Sequence, residues 1–299
     1  MTDMARKKTD KKLKAMEKEL KKTYKQAKEE LEQKWFIFMT EQSQILKQMQ
    51  DEYYEIKKTG TPSEIAKKGK ELGIAKRDVT LKNEYYKRMV DETTTKLAHT
   101  NEIAVSYVNG QMPDIYTTNF NDAFKSEVKG IKGISYTLVD ENTVKSLVGD
   151  GKLRLPKKRI NPIKDKRWNA KQINSSILQG ILQGEPIDKM SERILPIVDN
   201  NQSAAVRTAR TMTTQCENKG RMDRIDDLAE QGLEIEKTWM ATDDGRTRNS
   251  HLELDGETVP YDEPFPNELM YPGDPDGDPS EVYNCRCTMT THIIGRKRW

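Results

Sequence analysis

The sequence has little of what builds a large dry interior. Only 34% of its 299 residues are hydrophobic and 7% aromatic, with five Phe and four Trp, while 33% are charged. Globular domains usually run at about 45–50% apolar on a count that includes Gly. One large core is therefore excluded, and long solvated helices beside a modest compact domain are expected, about two domains in all. No window approaches the run of about 18 apolar residues that a membrane-spanning helix needs. The basic start, Met1-Thr2-Asp3-Met4-Ala5-Arg6-Lys7-Lys8, has no apolar stretch behind it, so no secretory leader is expected. Cysteine is scarce and odd in number, three in all. That excludes a disulfide framework and points to synthesis in a reducing cytoplasm. A Gly-rich phosphate loop and a Ser-centred nucleophile elbow are both missing.

Charge is abundant and segregated, although it nets to only +3. Residues 1–34 hold twelve Lys/Arg against seven Asp/Glu, interleaved as i,i+4 partners in the manner of a solvated helix face. Residues 152–171 carry nine bases, Lys152, Arg154, Lys157, Lys158, Arg159, Lys164, Lys166, Arg167 and Lys171, against Asp165 alone. Arg296, Lys297 and Arg298 add a second basic run just before Trp299. Residues 239–284 reverse the sign, with twelve acids against Arg246 and Arg248. Separated fields of opposite sign imply separated partners: a polyanion, or an acidic protein surface, for the basic segments.

Hydrophobic spacing organises the N-terminal third. Leu13, Met16, Leu20, Tyr24, Ala27, Leu31, Trp35 and Phe38 recur in steps of three and four, and Ile45, Met49, Tyr53 and Ile56 resume the phase beyond Gln42. This eleven-residue repeat keeps one stripe on a single long helix. It runs to Gly60-Thr61-Pro62, and a second helix after Gly73, with Tyr85, Tyr86, Met89 and Leu97, stops at Asn109-Gly110. The expected product is a helical hairpin whose apolar stripe needs another helix, from this chain or a partner. Residues 134–139 have strand composition. Residues 152–171, with Pro156, Pro162 and Trp168, read as an extended basic connector. A short helix ending at Gly184 and another restarting at Pro186, closed by Asp199-Asn200-Asn201, lead to a helix from Ser203 to Gly232. Period-2 alternation over 233–241, broken by Lys237, predicts a half-buried strand. Asp255-Gly256 predicts a hairpin within 252–259, six prolines predict a loop over 260–280, and residues 286–294 read as a last strand. The fold class is α+β: a long N-terminal helical hairpin (1–110), a mixed region with a basic connector (111–171), and a small C-terminal helix-plus-antiparallel-sheet domain (172–299).

Candidate chemistry collects in that last third. Cys285 and Cys287 have the spacing that turns two side chains to one strand face, and His251 lies where it could reach them, so zinc held by Cys285, Cys287 and His251 with an Asp or water is chemically reasonable. The alternatives are thiols packed as small hydrophobes with His251 in a structural hydrogen bond, or a Cys nucleophile with His251 as base. His292 falls on the opposite face, and Cys216 reads as core. Arg210 and Arg248 are placed to fork onto carboxylates, with Arg248 tethering the Pro-rich loop or the Asp243/Asp244 turn.

The ordered series Thr208-Ala-Arg210-Thr211, Trp239-Met-Ala-Thr-Asp243-Asp-Gly-Arg246-Thr-Arg248-Asn-Ser-His251, Leu254-Asp-Gly256, Phe265, Pro272-Gly-Asp-Pro275 and Asn284-Cys285-Arg286-Cys287 resembles the Mu F-like minor head protein family of tailed bacteriophages over residues 170–294. The resemblance implies a non-enzymatic minor capsid protein of the virion. It would be associated with the portal inside the head and with other capsid or scaffolding proteins, and would contact double-stranded DNA or aid its ejection. It marks Arg210, Trp239, Asp243, Arg246, Arg248, Asn284 and Arg286 as motif residues. Many relatives carry Cys-x-x-Cys where this chain has Arg248-Asn-Ser-His251, and a His where it has residues 281–283. Two functions are thus carried forward: a portal-associated structural protein that binds DNA through its basic segments, and a metal-assisted hydrolase of nucleic acid at His251 and Cys285/Cys287.

Overall fold

The computed structural model describes residues 4–81, 84–125, 128, 131–183, 185 and 187–297, apart from the side chains at 76–81, 181, 187 and 188. Gly184, Pro186 and Arg298, invoked above as helix stop, helix restart and basic tail, lie outside the described residues.

The eleven-residue stripe forms one helix, α1 (Met4–Thr59). Met16, Leu20, Tyr24, Ala27, Leu31, Trp35 and Phe38 are all buried, as the spacing predicts. Beyond Phe38 the stripe passes through polar Gln42 to Leu46, and Ile45 points to solvent. α2 (Pro62–Leu81) starts directly after the break, earlier than Gly73 suggested. Thr61 and Glu64 cap it reciprocally: the Thr61 amide donates to Glu64 Oε2 at 2.8 Å and the Glu64 amide to Thr61 Oγ1 at 3.4 Å. α3 (Glu84–Asp122) runs straight through the expected stop at Asn109-Gly110. Burial of Val108, Met112, Ile115 and Tyr116 outweighs the roughly 1 kcal/mol that glycine costs a helix. α4 (Glu141–Gly149) follows, capped by Asp140. α5 (Pro162–Leu182) takes up the second half of the basic segment, so residues 162–171 are helical and not an extended connector. A 3-10 helix (Ile187–Ile194) leads into α6 (Leu195–Glu230), which continues through Asp199-Asn200-Asn201.

Three strands, β1 (Leu233–Met240), β2 (Thr258–Pro260) and β3 (Thr288–Arg296), form an antiparallel sheet in the order β2-β1-β3. Where a hairpin within 252–259 was expected, residues Asn249–Glu253 form a short helix, α7. The hairpin instead pairs β1 with β2, and Gly256, at φ +83° and donating to the Trp239 carbonyl at 2.9 Å, shapes its turn. α8 (Pro279–Val282) closes the Pro-rich loop.

The chain divides into two compact units. One takes Leu20–Ala104 and Ile160–Ala204; the other takes Met1–Glu19, Val105–Arg159 and Ala205–Trp299. In the first, helical unit, the stripe of α1 is covered from within the chain: Trp35 Nε1 donates to Thr93 Oγ1 at 2.8 Å and Lys28 pairs with Asp199 at 2.8 Å. Tyr24 Oη donates to Asn101, whose Nδ2 reaches Asn201 at 2.8 Å and Asp165 at 2.9 Å, while Asn201 reaches Asn169 at 2.8 Å. Asn201 is thus committed to a buried amide cluster, which is why it does not close the helix.

The second unit holds the sheet and two small apolar clusters. Around one of them, Leu233, Ile235 and Met289 meet Ile225 and Leu228 of α6. Residues 134–139 are extended but join no strand. Side chains take the ladder's place: Gln231 pairs with both N–H and C=O of Ser135 at 2.7 and 3.0 Å, Arg224 donates to the Thr137 carbonyl at 2.7 Å, and Asn121 pairs with both groups of Val139 at 3.0 and 2.6 Å. Asn109 grips Lys158 in the same two-sided way, at 2.9 and 3.0 Å.

Candidate functional site

His251, Cys285 and Cys287 come together in the sheet unit. α7 delivers His251, and the segment between α8 and β3 delivers the two thiols. His251 Nδ1 lies 3.6 Å from Cys285 Sγ and 3.4 Å from Cys287 Sγ, and all three donors are within 4.8 Å of one another. Each residue is at most 2% exposed. On the far side of the ring, Nε2 is 2.8 Å from a carboxylate oxygen of Glu281, which Ser250 also approaches at 3.2 Å. The ring is thus gripped by a carboxylate at Nε2 while Nδ1 faces the sulfurs. Trp239 and Phe265 wall the site with apolar surface, Trp239 sitting edge-on to both the imidazole and the Phe265 ring at 5.2 Å.

This donor set fits a zinc ion. A tetrahedral zinc with Zn–S near 2.3 Å and Zn–N near 2.0–2.1 Å separates sulfur from nitrogen by about 3.6 Å, which matches the two S···N distances found. The thiols also share a proton unevenly. The hydrogen bond between them, reinforced by burial, holds Cys285 above the usual thiol range, and the same bond, with His251, draws Cys287 below it. Thiolate character is what a metal requires. Glu281 against Nε2 supplies the outer carboxylate that orients metal-bound histidines. The expected Asp ligand does not appear: the group consists of His251, Cys285 and Cys287, and no carboxylate joins it among the described residues.

The Cys-Arg-Cys segment is irregular, so something other than a strand ladder must hold it. One polar stripe of α6 does. Thr211 Oγ1 accepts from the Asn284 amide at 2.8 Å, and Thr214 Oγ1 donates to the Cys285 carbonyl at 2.6 Å. Asn218 Nδ2 reaches the Cys287 carbonyl at 3.2 Å and the Pro272 carbonyl at 2.9 Å, and Arg221 reaches the Met289 carbonyl at 3.4 Å. These residues are spaced 3, 4 and 3 apart, one face of a helix. Asn284, at φ +62°, makes the turn into the cysteines.

Of the motif residues, Arg286 forks onto Asp244, which also takes Arg246 at 3.2 Å. Those hydrogen bonds, from Arg286 first, hold the Asp244 carboxyl well below the usual range. Arg210 binds a carboxylate as expected, Glu17 of α1 at 2.6 Å. Arg248 departs from expectation: its guanidinium donates to the Tyr283 carbonyl after α8, while the Asp244 turn is held by Arg286. Asp243 is exposed. His292 lies on the outer part of β3, exposed and apart from the cluster.

The basic residues form no part of this centre. Lys152, Arg154, Lys157, Lys158 and Arg159 are exposed in the sheet unit; Lys164, Lys166, Arg167 and Lys171 lie on α5 in the helical unit, all but Lys166 exposed. Lys164, Arg167, Trp168 and Lys171 share one face of α5 by their spacing.

Sequence reasoning marked Thr211 only as part of the motif series and missed Thr214, Asn218, Arg221 and the part played by Glu281. The helical spacing of the four α6 residues was visible, but polar residues at that period read as solvated until the backbone they serve is known.

Comparison with known proteins agrees with this geometry. The family described as Phage Mu protein F like protein matches residues 171–290. The chain is 31% identical over 128 residues to NAD(+)--arginine ADP-ribosyltransferase EFV of Enterococcus faecalis (strain ATCC 700802 / V583), a match covering 42% of this chain and 26% of that protein. It is 30% identical over 126 residues to Minor head protein GP7 of Bacillus phage SPP1, covering 41% of each. The chain therefore spans well under half the length of either relative. No solved structure matches it. The matched stretch contains α6, β1, β2, the start of β3 and the whole His–Cys–Cys centre, and over residues 171–290 the chain is similar to the Phage Mu protein F like family.

Proposed function

We propose that the chain is a minor structural component of a phage head, working beside the portal during head assembly. One observation carries this reading: the stretch that matches the Phage Mu protein F like family, residues 171–290, is built around the buried His251–Cys285–Cys287 centre, and 126 residues of the chain resemble Minor head protein GP7. Purified virions should contain the chain in few copies, and it should co-purify with portal and scaffolding proteins from assembling heads. Absence from both removes the proposal.

The role proposed is structural and not catalytic. In support, a centre with His251 and both thiols at most 2% exposed offers a substrate no approach, the closed arrangement of structural zinc sites. His251, Cys285 and Cys287 would hold the zinc, which would tie α7 to the segment before β3. Elemental analysis should return about one zinc per chain and none for Cys285→Ser. DNA incubated with the protein and divalent metals should stay intact; cleavage that disappears in His251→Ala would reinstate the hydrolase. The activity named for the Enterococcus relative belongs to a protein of which about a quarter matches, and it is not carried over.

DNA contact is part of the proposal, through exposed bases such as Lys164, Arg167 and Lys171 beside Trp168, a basic face with an aromatic that can stack. Weak, salt-sensitive binding is expected. Neutralising the three bases together should lower the salt slope by up to about 3; an unchanged slope assigns α5 to an acidic protein surface.

A further inference from the structure

A second polar site lies behind the Cys-Arg-Cys segment, on a cavity of about 330 Å³ within the sheet unit. α1 contributes Arg6, Asp10, Lys14 and Glu17 to its walls, and α6 contributes Arg210. Asp244, Arg246 and Arg286 close the far side, and the floor is Thr213 and Glu217 of α6. The floor is what marks this cavity as a site. Thr213 is 2% exposed and its hydroxyl has no hydrogen-bond partner among the described residues. Glu217 is 6% exposed, and Thr288 and Arg221 both bind its Oε1. An orphaned buried polar atom costs about 1–3 kcal/mol, so the Thr213 hydroxyl at the cavity floor calls for a guest with polar atoms.

We propose that this cavity binds a small phosphate-bearing anion, seated on Thr213 and held from the walls by Arg6, Lys14 and Arg246. The wall charges select the class. Five cations face four carboxylates, but Arg210 is taken by Glu17, and Arg286 by Asp244. Arg6 spends one nitrogen on Thr242 Oγ1, at 2.8 Å, and Arg246 one on Asp244. Their remaining donors, with the Lys14 ammonium, are the unspent charge. Arg221 pairs with the Glu217 carboxyl at 3.4 Å and offsets its charge at the floor. Asp10, four residues from both Arg6 and Lys14, lies between two cations. A tetrahedral anion accepts from floor and walls together, which a chloride or a planar apolar ligand cannot do. The volume lies at the small end of ligand sites, enough for phosphate with a modest organic group.

The test is calorimetric titration of the full chain with inorganic phosphate and, separately, with ribose 5-phosphate, each against chloride at matched ionic strength. Saturable binding to at least one of the two is expected, and the tighter of them tells whether the organic group is part of the ligand. Thr213→Val keeps the shape and removes the orphan hydroxyl, so its melting temperature should be unchanged or higher while affinity falls at least about tenfold. Lys14→Gln, on an exposed stretch of α1, should weaken binding by a similar factor without changing the fold. Heats no different from chloride for both probes, or unaltered affinity in both variants, would overturn the proposal.

Discussion

The two units of this chain solve the same problem, burying a backbone, by different means. In the helical unit the backbone satisfies itself within long helices. The side chains have only to bury an apolar stripe, and the polar cluster at Asn101, Asn169 and Asn201 is an internal detail of packing. In the sheet unit much of the chain is irregular, so its peptide groups need outside partners. Amides and guanidinium groups on helices, or on the turn that follows α6, provide them: Asn109, Asn121, Asn218, Gln231, Arg221 and Arg224 all hydrogen-bond to main chain. Helical packing tolerates many sequences of the right period. A clamped loop depends on particular polar residues, and a site that needs three donors within 4.8 Å is built where such clamps fix the chain.

The sharpest way to break the comparison is to damage each unit in its own currency. Trp35→Ala removes a fully buried ring and its hydrogen bond to Thr93, and should cost about 3–5 kcal/mol. Helical signal should be lost at lower urea in circular dichroism. Asn218→Ala should cost less, about 2–3 kcal/mol, by stranding the Pro272 and Cys287 carbonyls. Its signature should be local: faster hydrogen exchange over residues 270–289, with unaltered protection in residues 20–59. Equal loss of protection in both segments would mean that the two units do not respond separately.

Lys237 tests the sheet unit through pH. Its ammonium is buried on the apolar face of β1, bound to the Tyr261 carbonyl at 2.8 Å and 5.3 Å from the centre of the Phe265 ring. Burial lowers its pKa from 10.5 to about 8. Below pH 8 both folded and unfolded chains carry the proton and the burial cost is present in full. Between about 8 and 10.5 the unfolded chain binds more protons, so this group's contribution to stability rises with pH and then levels off. Relative to Lys237→Met, which lacks this titration and should itself be more stable at neutral pH by on the order of 1 kcal/mol, the wild type should gain across that window. A difference flat with pH contradicts the assignment. Smallest is Arg248→Ala, which frees the Tyr283 carbonyl at an exposed position and should lower stability by about 1 kcal/mol or less. An unchanged melting temperature would deny Arg248 its tethering part.

Legibility followed the same division. The stripe from Met16 to Phe38 was readable because a helix buries residues by their own spacing, with no knowledge of the partner. β1 was readable for the same reason, down to the misfit Lys237. Residues 134–139 were not: their composition is that of a strand, and what kept them out of the sheet is Gln231, Arg224 and Asn121, far away in sequence. Asn109-Gly110 and Asn201 read as stops because their local preferences are those of caps, yet packing and side-chain pairing elsewhere decided otherwise. At the site, the pairing of His251 with Cys285 and Cys287 was legible from spacing and residue chemistry. Glu281 on the back of the imidazole and the α6 stripe were not, since a carboxylate or threonine shows its partner only in three dimensions.

The sequence by itself determined the helical period, the α+β class, the segregation of charge and the three donors that could meet a metal. These follow from residue type and interval, which act locally. Only the tertiary structure decided which backbone each polar side chain would satisfy, that half of the basic segment is helical, and that the Thr213 hydroxyl, on a cavity floor, would be left without a partner among the described residues. Hydrogen bonds between residues 70 or 100 positions apart, such as Thr214 to Cys285 and Arg221 to Asn119, have no periodicity to read; they exist once apolar burial has brought their elements together.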